Sequence, residues 1–521
     1  MQARIITHFS LVAAIFHAGV WQRLYASLRT HLLRETYALP LDLLRIVGGL
    51  LCVAYFLRLL VEAEDFSNPD GVLDHVLLHH IFWFTRLSLW QPGITLPWFY
   101  SIFGLACGIA WGIVLGYRVR LCAGVLFVIA VSTYRWNFIV IYVDDAFMHL
   151  LLFWLMLLPV GHTLLPWELR QGWRSCWQRW CQKTVPGTVQ WCFLANICLL
   201  YVVAGLWKLA SPLWQQGFAL YAILRLPIAH HHDMWGPQHL PFLQVGNYLT
   251  MLIEPLLPFL LLCRPGHPAK WCGLLCHVGF HLGIVLTLNI PFVNFGLLAT
   301  ALLFFREEIM GWLQREGKPA LQQAPHYGSS GVLALIFLLV LSLAVVHHIP
   351  FIGGLYKPAY ALLWMAGITQ EYQLFNWIDK TNYHVTYRIN TQTADGTIRI
   401  INPQTFFPSS LRGTLLQMYL HNIRWMPVPI PYRQPLMQSI MTRLGQRFCR
   451  QQNLATPVTV SAHVQRIRPD NLTLTEEDER FLMHFRCAAQ QLILCRTFLY
   501  VTNAAGCLAA NEISPEHGRF E

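Results

Sequence analysis

Long apolar runs separated by brief polar segments fill the chain from about residue 41 to residue 350. Eight of them, at 41–61, 97–116, 121–141, 146–165, 191–210, 244–263, 271–288 and 332–350, are long enough to cross about 30 Å of hydrocarbon at about 1.5 Å per residue. A shorter run, Pro291 to Phe305, makes a ninth. It follows the seventh after only Leu288, Asn289 and Ile290, as a tight hairpin or a re-entrant pair, and either choice leaves the sidedness of the others unchanged. The pattern predicts a mostly α-helical, polytopic membrane domain of about nine spans over residues 1–350. Ile5 to Val20 has one preceding Arg, a short apolar stretch and no small-residue cleavage pattern after it, which reads as an interfacial helix rather than a signal peptide.

From Phe351 the pattern changes to polar, Pro-punctuated sequence, which predicts a separate small α+β extramembrane domain over 351–521. Tyr383 to Asn390 places Val385, Tyr387 and Ile389 on alternate positions, Asp395-Gly396 supplies a turn, and Ile398 and Ile400 continue the alternation, as in a β-hairpin. Ser410 to Arg424 and Pro435 to Gln452 carry helical apolar spacing, and Val458 to Val464 alternates again. Four of the fourteen cysteines, Cys449, Cys487, Cys495 and Cys507, fall in this domain. Four cysteines allow three pairings. If Cys487 and Cys495 share one helix they lie about 12 Å apart, too far for a bond.

Composition agrees with a membrane chain. Of 521 residues, 55% are hydrophobic and 12% charged, against roughly 25% charged in a soluble domain, which excludes a soluble enzyme. The 20 Trp, 19 Tyr and 31 Phe exclude long disorder. The net charge of +11 would fit a nucleic-acid partner if it were spread over a soluble surface, but its placement follows the spans. One set of alternate segments holds Arg4, Arg23, Arg29, Arg34, Arg118, Arg120, Arg170, Arg174, Arg179, Lys183, Arg264, Lys270, Arg306, Arg315 and Lys318, fifteen cations, against Arg86, Arg135 and Arg225, three, on the other. The basic side is cytoplasmic by the positive-inside rule. An odd number of spans then places the C-terminal domain on the outer side, as for a protein of the bacterial inner membrane whose partners are lipids, with no nucleic acid.

Ionisable residues inside apolar spans are the informative positions, because each costs free energy unless paired or set in a wet cavity. Span four opens with Asp144 and Asp145 and has His149 a turn deeper; span five carries Lys208 near its outer end. Span six holds Glu254, span seven has His277 and His281 at i,i+4, and span one carries Arg45 and Arg58. Asp145, His149 and Lys208 lie in the outer half, with Glu254 and His281 near mid-depth, which places them within reach of one cavity open to the outer side. Bland roles compete: Glu254 beside Pro255 as an acceptor of freed backbone N–H groups, the histidines as bonds to neighbouring helices, the arginines as snorkels. No metal is expected. His230, His231 and His232 are consecutive and cannot converge on one ion, and at about 100° per residue the Cys272/Cys276 pair points away from the His277/His281 pair. No Walker loop, nucleotide fingerprint or nucleophile elbow is present.

Leu41 to Leu51 (LDLLRIVGGLL), Leu115 to Phe127 (LGYRVRLCAGVLF), Tyr201 to Leu220 (YVVAGLWKLASPLWQQGFAL), Phe280 to Asn289 (FHLGIVLTLN) and Tyr372 to Phe406 together resemble vitamin K-dependent γ-glutamyl carboxylase and its bacterial relatives, the horizontally transferred transmembrane (HTTM) domain proteins. The resemblance covers about residues 38 to 470 by scattered motifs, AGLWKL being the most specific. It implies a multi-span lyase that oxidises a reduced quinone, vitamin K or menaquinone hydroquinone, with O₂ and uses the strong base so formed to carboxylate protein glutamate. On that reading Lys208 is the base, His281 stabilises negative charge, and Asp145 or Glu254 orients. His149, His277 and Trp214 line the quinone site, and a protein or peptide substrate approaches from the outer side. This chain departs from the family in having Asp144 and Asp145 at the entry to span four, and Trp207 in place of the first of two adjacent lysines. The sequence after the outer domain is also shorter, so a propeptide-binding extension is not expected. A non-enzymatic protein that binds a lipid, quinone or protein partner in the same cavity is the alternative.

Overall fold

A computed structural model describes residues 26 and 28–509, apart from 315–320, 323–325, 327, 347–356, 369–371, 373–374, 376–377, 379–382, 393–396, 421–427, 453–455, 467–477, 489–490 and 498–507. The helix expected over Ile5 to Val20 and the Asp395-Gly396 turn lie outside the described residues. Each of the nine apolar runs is a helix. Six are long and apolar enough to cross a bilayer: Ala38–Ser67, Leu96–Leu115, Val119–Trp136, Thr188–Ala210, Pro268–Thr287 and Gly328–Val345.

The other three differ for local reasons. The run expected over 146–165 stops early, as Val143–Leu157, because Leu158 precedes Pro159 and the residue before a proline is pushed out of the helical region. Leu240–Leu261 has the length but carries Asn247, Glu254 and two internal prolines, Pro255 and Pro258. Pro291–Phe304 is only 14 residues, and the acidic helix Arg306–Leu313 follows it at once.

Ala38–Glu62 packs chiefly against the Leu96–Leu115 and Pro291–Phe304 helices. Gly49 permits its close approach to Leu96–Leu115, since a Cβ there would lie 2.9 Å from the Val114 backbone nitrogen. One end is clamped by a buried pair. Arg45 meets Asp42 at 2.8 Å and donates to the carbonyls of Ile113 and Val114, while Asp42 accepts the N–H groups of Gly161, His162 and Thr163. Arg45 is 0% exposed, so the snorkelling role expected for it gives way to the satisfaction of loose carbonyls at helix ends, which a guanidinium with five donors does well. Arg58 does reach the surface and pairs with Glu62 at 3.2 Å.

Two short strands, β1 (Glu35–Tyr37) and β2 (Thr184–Pro186), pair antiparallel beside the helices. The C-terminal part is an antiparallel sheet of β3 (Tyr383–Gln392), β4 (Ile398–Ile401), β5 (Val458–Arg466), β6 (Asp478–Ala488), β7 (Gln491–Thr497) and β8 (Leu508–Ala509) in the order β4-β3-β5-β6-β7-β8, with the helices Leu411–Leu420 and Ile430–Gln451. β3, β4 and β5 stand where alternation predicts them. β6 and β7 escape a period-two reading because register shifts at Val460/Ser461 and His484/Phe485 interrupt the pairing. Cys487 and Cys495 therefore sit on neighbouring strands, not on one helix, and Cys487 is joined to Cys449 of the Ile430–Gln451 helix.

This sheet does not stand apart from the helices. Trp364 packs edge-on against Phe84 at 4.6 Å. Leu363, Ile368, Tyr372 and Ile378 belong to the same buried cluster as the spans. Ser439 bonds Asp74 at 2.8 Å, Arg447 bonds Asp65 at 2.7 Å, and Arg443 donates to the carbonyls of Pro69 and Gly71.

Candidate functional site

A cavity of about 430 Å³ opens among the Thr188–Ala210, Leu240–Leu261, Pro268–Thr287 and Pro291–Phe304 helices, and Phe375, Leu415 and Met418 from the C-terminal part cover it. Its lining is mostly aliphatic and aromatic. Into that apolar wall project Lys208, Glu254, Tyr201, His281 and Asn294.

Lys208 Nζ lies 2.6 Å from Glu254 Oε2, and the two residues are 2% and 1% exposed. Helix packing makes the pair. Gly205, three residues before Lys208, sits so close to the Pro255 ring that a Cβ would come within 2.7 Å of it. The missing side chain at Gly205 therefore brings Glu254, the neighbour of Pro255, onto Lys208. The Trp214 ring stands over the amine at 5.4 Å, where its negative face favours a cation. Trp214 is fixed in turn by its Nε1–H donating to the Phe375 carbonyl at 3.2 Å.

Seven residues earlier on the same helix, thus on the same face and about 10 Å along the axis, is Tyr201. Its hydroxyl lies 2.6 Å from His281 Nε2 and 3.2 Å from His277 Nδ1. The outer bonds assign the protons. His277 Nε2 faces the Leu297 carbonyl at 3.0 Å and must donate to it. The Asn294 amide nitrogen donates to the Ile290 carbonyl at 2.7 Å, so its Oδ1 accepts from His281 Nδ1, also at 2.7 Å. Each neutral imidazole then presents an acceptor nitrogen to Tyr201. The hydroxyl has one proton for two acceptors, and the trio has room for one proton more.

Of the residues expected at the site, Lys208, Glu254, His281 and Trp214 line the cavity, and His277 stands directly behind it through Tyr201. Asp145 and His149 are not among the lining residues. Asp145 caps its own helix by accepting from the Tyr142 N–H at 3.0 Å, and it accepts from Tyr55 and Arg412 at 2.8 Å each. His149 meets the Gly367 carbonyl at 3.0 Å and the Tyr134 ring edge-on. Through Arg412 and the Gly367 carbonyl, respectively, both face the junction with the C-terminal part. Asp144 accepts from the Val293 N–H at 2.9 Å, a cap for the Pro291–Phe304 helix. Tyr201 and Asn294 are the cavity residues that sequence reasoning misses, and Arg412, outside the cavity, is missed as the partner of Asp145. Tyr201 was open to detection, since it stands two helical turns before Lys208. Among the described residues no group of three or more His, Cys, Asp or Glu could hold a metal ion.

The chain matches no protein-family model, no curated protein and no solved structure.

Proposed function

We propose that the protein is a membrane-embedded, quinol-oxidising enzyme of the vitamin K-dependent carboxylase kind, with nine spans, a cytoplasmic N-terminus and the sheet domain outside. One observation carries the reading: Lys208 and Tyr201 face one apolar cavity from the helix bearing the AGLWKL motif, and Glu254 and His281 meet them there from two neighbouring helices. A hydroquinone has an apolar body and two hydroxyl groups, and such a cavity suits it. Bound there, the hydroquinone would give four electrons to O₂, two in reaching the quinone level and two on epoxidation, with one oxygen atom ending in the epoxide and the other, with both hydroxyl protons, in water.

Lys208 hands its own proton to Glu254 at 2.6 Å and, as the free amine so formed, accepts a hydroxyl proton of the hydroquinone. Charge separation is small because the pair moves a proton between its own members and the ligand. The Tyr201–His281–His277 trio, with one proton for two acceptor nitrogens, takes up a proton at the vacant nitrogen, relayed through the Tyr201 hydroxyl. Trp214 and the aliphatic wall exclude water and so sharpen these interactions. The Cys449–Cys487 disulfide supports the outer placement of the sheet, since disulfides persist in oxidising compartments. Asp144 and Asp145, where the sequence departs from the carboxylase, are engaged in capping and in holding Arg412, so that departure leaves the quinol site intact.

The test is chemical. Purified protein given menaquinone or vitamin K hydroquinone under air is expected to yield the corresponding epoxide, identified by mass. Binding of the quinone with no epoxide formed would overturn the enzymatic reading in favour of a binding protein.

A further inference from the structure

We propose that the cavity is filled sideways from the bilayer, through the seam between the Leu240–Leu261 and Pro268–Thr287 helices, and that it selects a ligand carrying a long apolar tail. The two helices touch at one end only. At Gly273 an added Cβ would stand 2.7 Å from the Cβ of Leu260. Six and ten residues further along, Gly279 and Gly283 are exposed, and an added Cβ would meet nothing within 4 Å. Over about 15 Å of helix the pair therefore passes from contact to an open slot.

That slot belongs to the cavity. Gly279, Gly283 and Thr287 fall four residues apart on one helix, Gly246, Thr250 and Glu254 four apart on the other, and all six line it. The second stripe leads to Glu254, hence to Lys208. Outside the slot the surface is apolar and uncovered by protein: Phe242 is 74% and Leu286 75% exposed, as suits helix faces that lipid covers. A head group at the Lys208–Glu254 end then has one continuous apolar exit for its tail. The identity of the head rests on the quinol reading; the direction of entry rests on the helices alone.

Because a Cβ at either glycine would meet nothing within 4 Å, the side chains of Gly279→Leu and Gly283→Leu start in open space and fill the slot. Full-length protein in lipid nanodiscs is titrated with a polyprenyl menaquinone and with tail-less 2-methyl-1,4-naphthoquinone. The double variant is expected to lose about ten-fold or more in affinity for the tailed quinone while the tail-less one binds as in the wild type. Undiminished affinity for the tailed quinone, or equal loss for both, overturns the seam. If neither quinone binds the wild type, the quinol reading fails and a diazirine-tailed fatty acid in the bilayer decides the seam separately. Photoadducts on Thr250, Phe280 or Thr287 that vanish in the double variant uphold it, and adducts that persist unchanged overturn it.

Discussion

Lys208 and Glu254 are buried together, so the two side chains stand or fall as a pair. Read from the sequence, Lys208 looks like a lone amine whose loss costs packing little. Its contact with Glu254 at 2.6 Å changes that. Lys208→Ala leaves a carboxylate without its counter-charge in an apolar wall, a defect of about 3–5 kcal/mol. We expect a marked fall in the thermal midpoint of the detergent-solubilised protein, and recovery of most of it when Glu254→Gln is added. A single variant as stable as the wild type would contradict the pairing. Tyr201→Phe keeps the ring and removes the proton shared by His281 and His277; quinol oxidation should fall by about 10²-fold or more, with binding retained. Legibility divides by residue type at this scale. Lys208, Glu254 and His281 stand out because an ionisable group in an apolar run needs a reason, whereas Tyr and Asn are ordinary in spans and carry no such signal.

The Leu411–Leu420 helix joins the two parts of the protein. Arg412 projects from it into the bundle and pairs with Glu62 and with Asp145, the latter at 2.8 Å, all three nearly fully buried. One and two turns on, Leu415 and Met418 close over the cavity. The ion pairs thus seat a cover, and Arg412→Ala would take from two buried carboxylates the guanidinium they share, leaving Glu62 only Arg58 and Asp145 only Tyr55 and the Tyr142 N–H. Backbone amides of this helix should then exchange hydrogen at least about ten-fold faster, an opening made easier by more than about 1.4 kcal/mol. Unchanged exchange would show that the apolar contacts hold the helix unaided. No local pattern marks Arg412, because an Arg in a polar, helix-spaced tail looks like solvated surface. Conversely, all nine apolar runs were legible as helices, since length and hydropathy are local. One end was less so, where Pro159 intervenes, and β6 and β7 were hidden by the bulges that break their alternation.

For the whole molecule, the fifteen-to-three division of Lys and Arg is the ground for the proposed sidedness, with the basic segments in the cytosol and the sheet domain outside. A reporter active only outside the cytosol should work when fused after Glu521 and fail when inserted near Gln178. Equal activity at both positions would remove the nine-span arrangement. The Cys449–Cys487 link should appear as a joined peptide pair in a non-reducing digest. By loop-closure entropy it contributes about 4 kcal/mol to the sheet domain, so Cys449→Ser should lower that domain's resistance to denaturant. Everything in the functional account converges on a lysine that gives up and takes a proton. The measurement that tests it most directly compares epoxide formation from a reduced menaquinone, under air, by the wild type and by Lys208→Arg. An arginine preserves the charge opposite Glu254 but does not deprotonate. The account predicts epoxide from the wild type and none from the variant, with quinone binding retained in both. A variant that turns over like the wild type would contradict it.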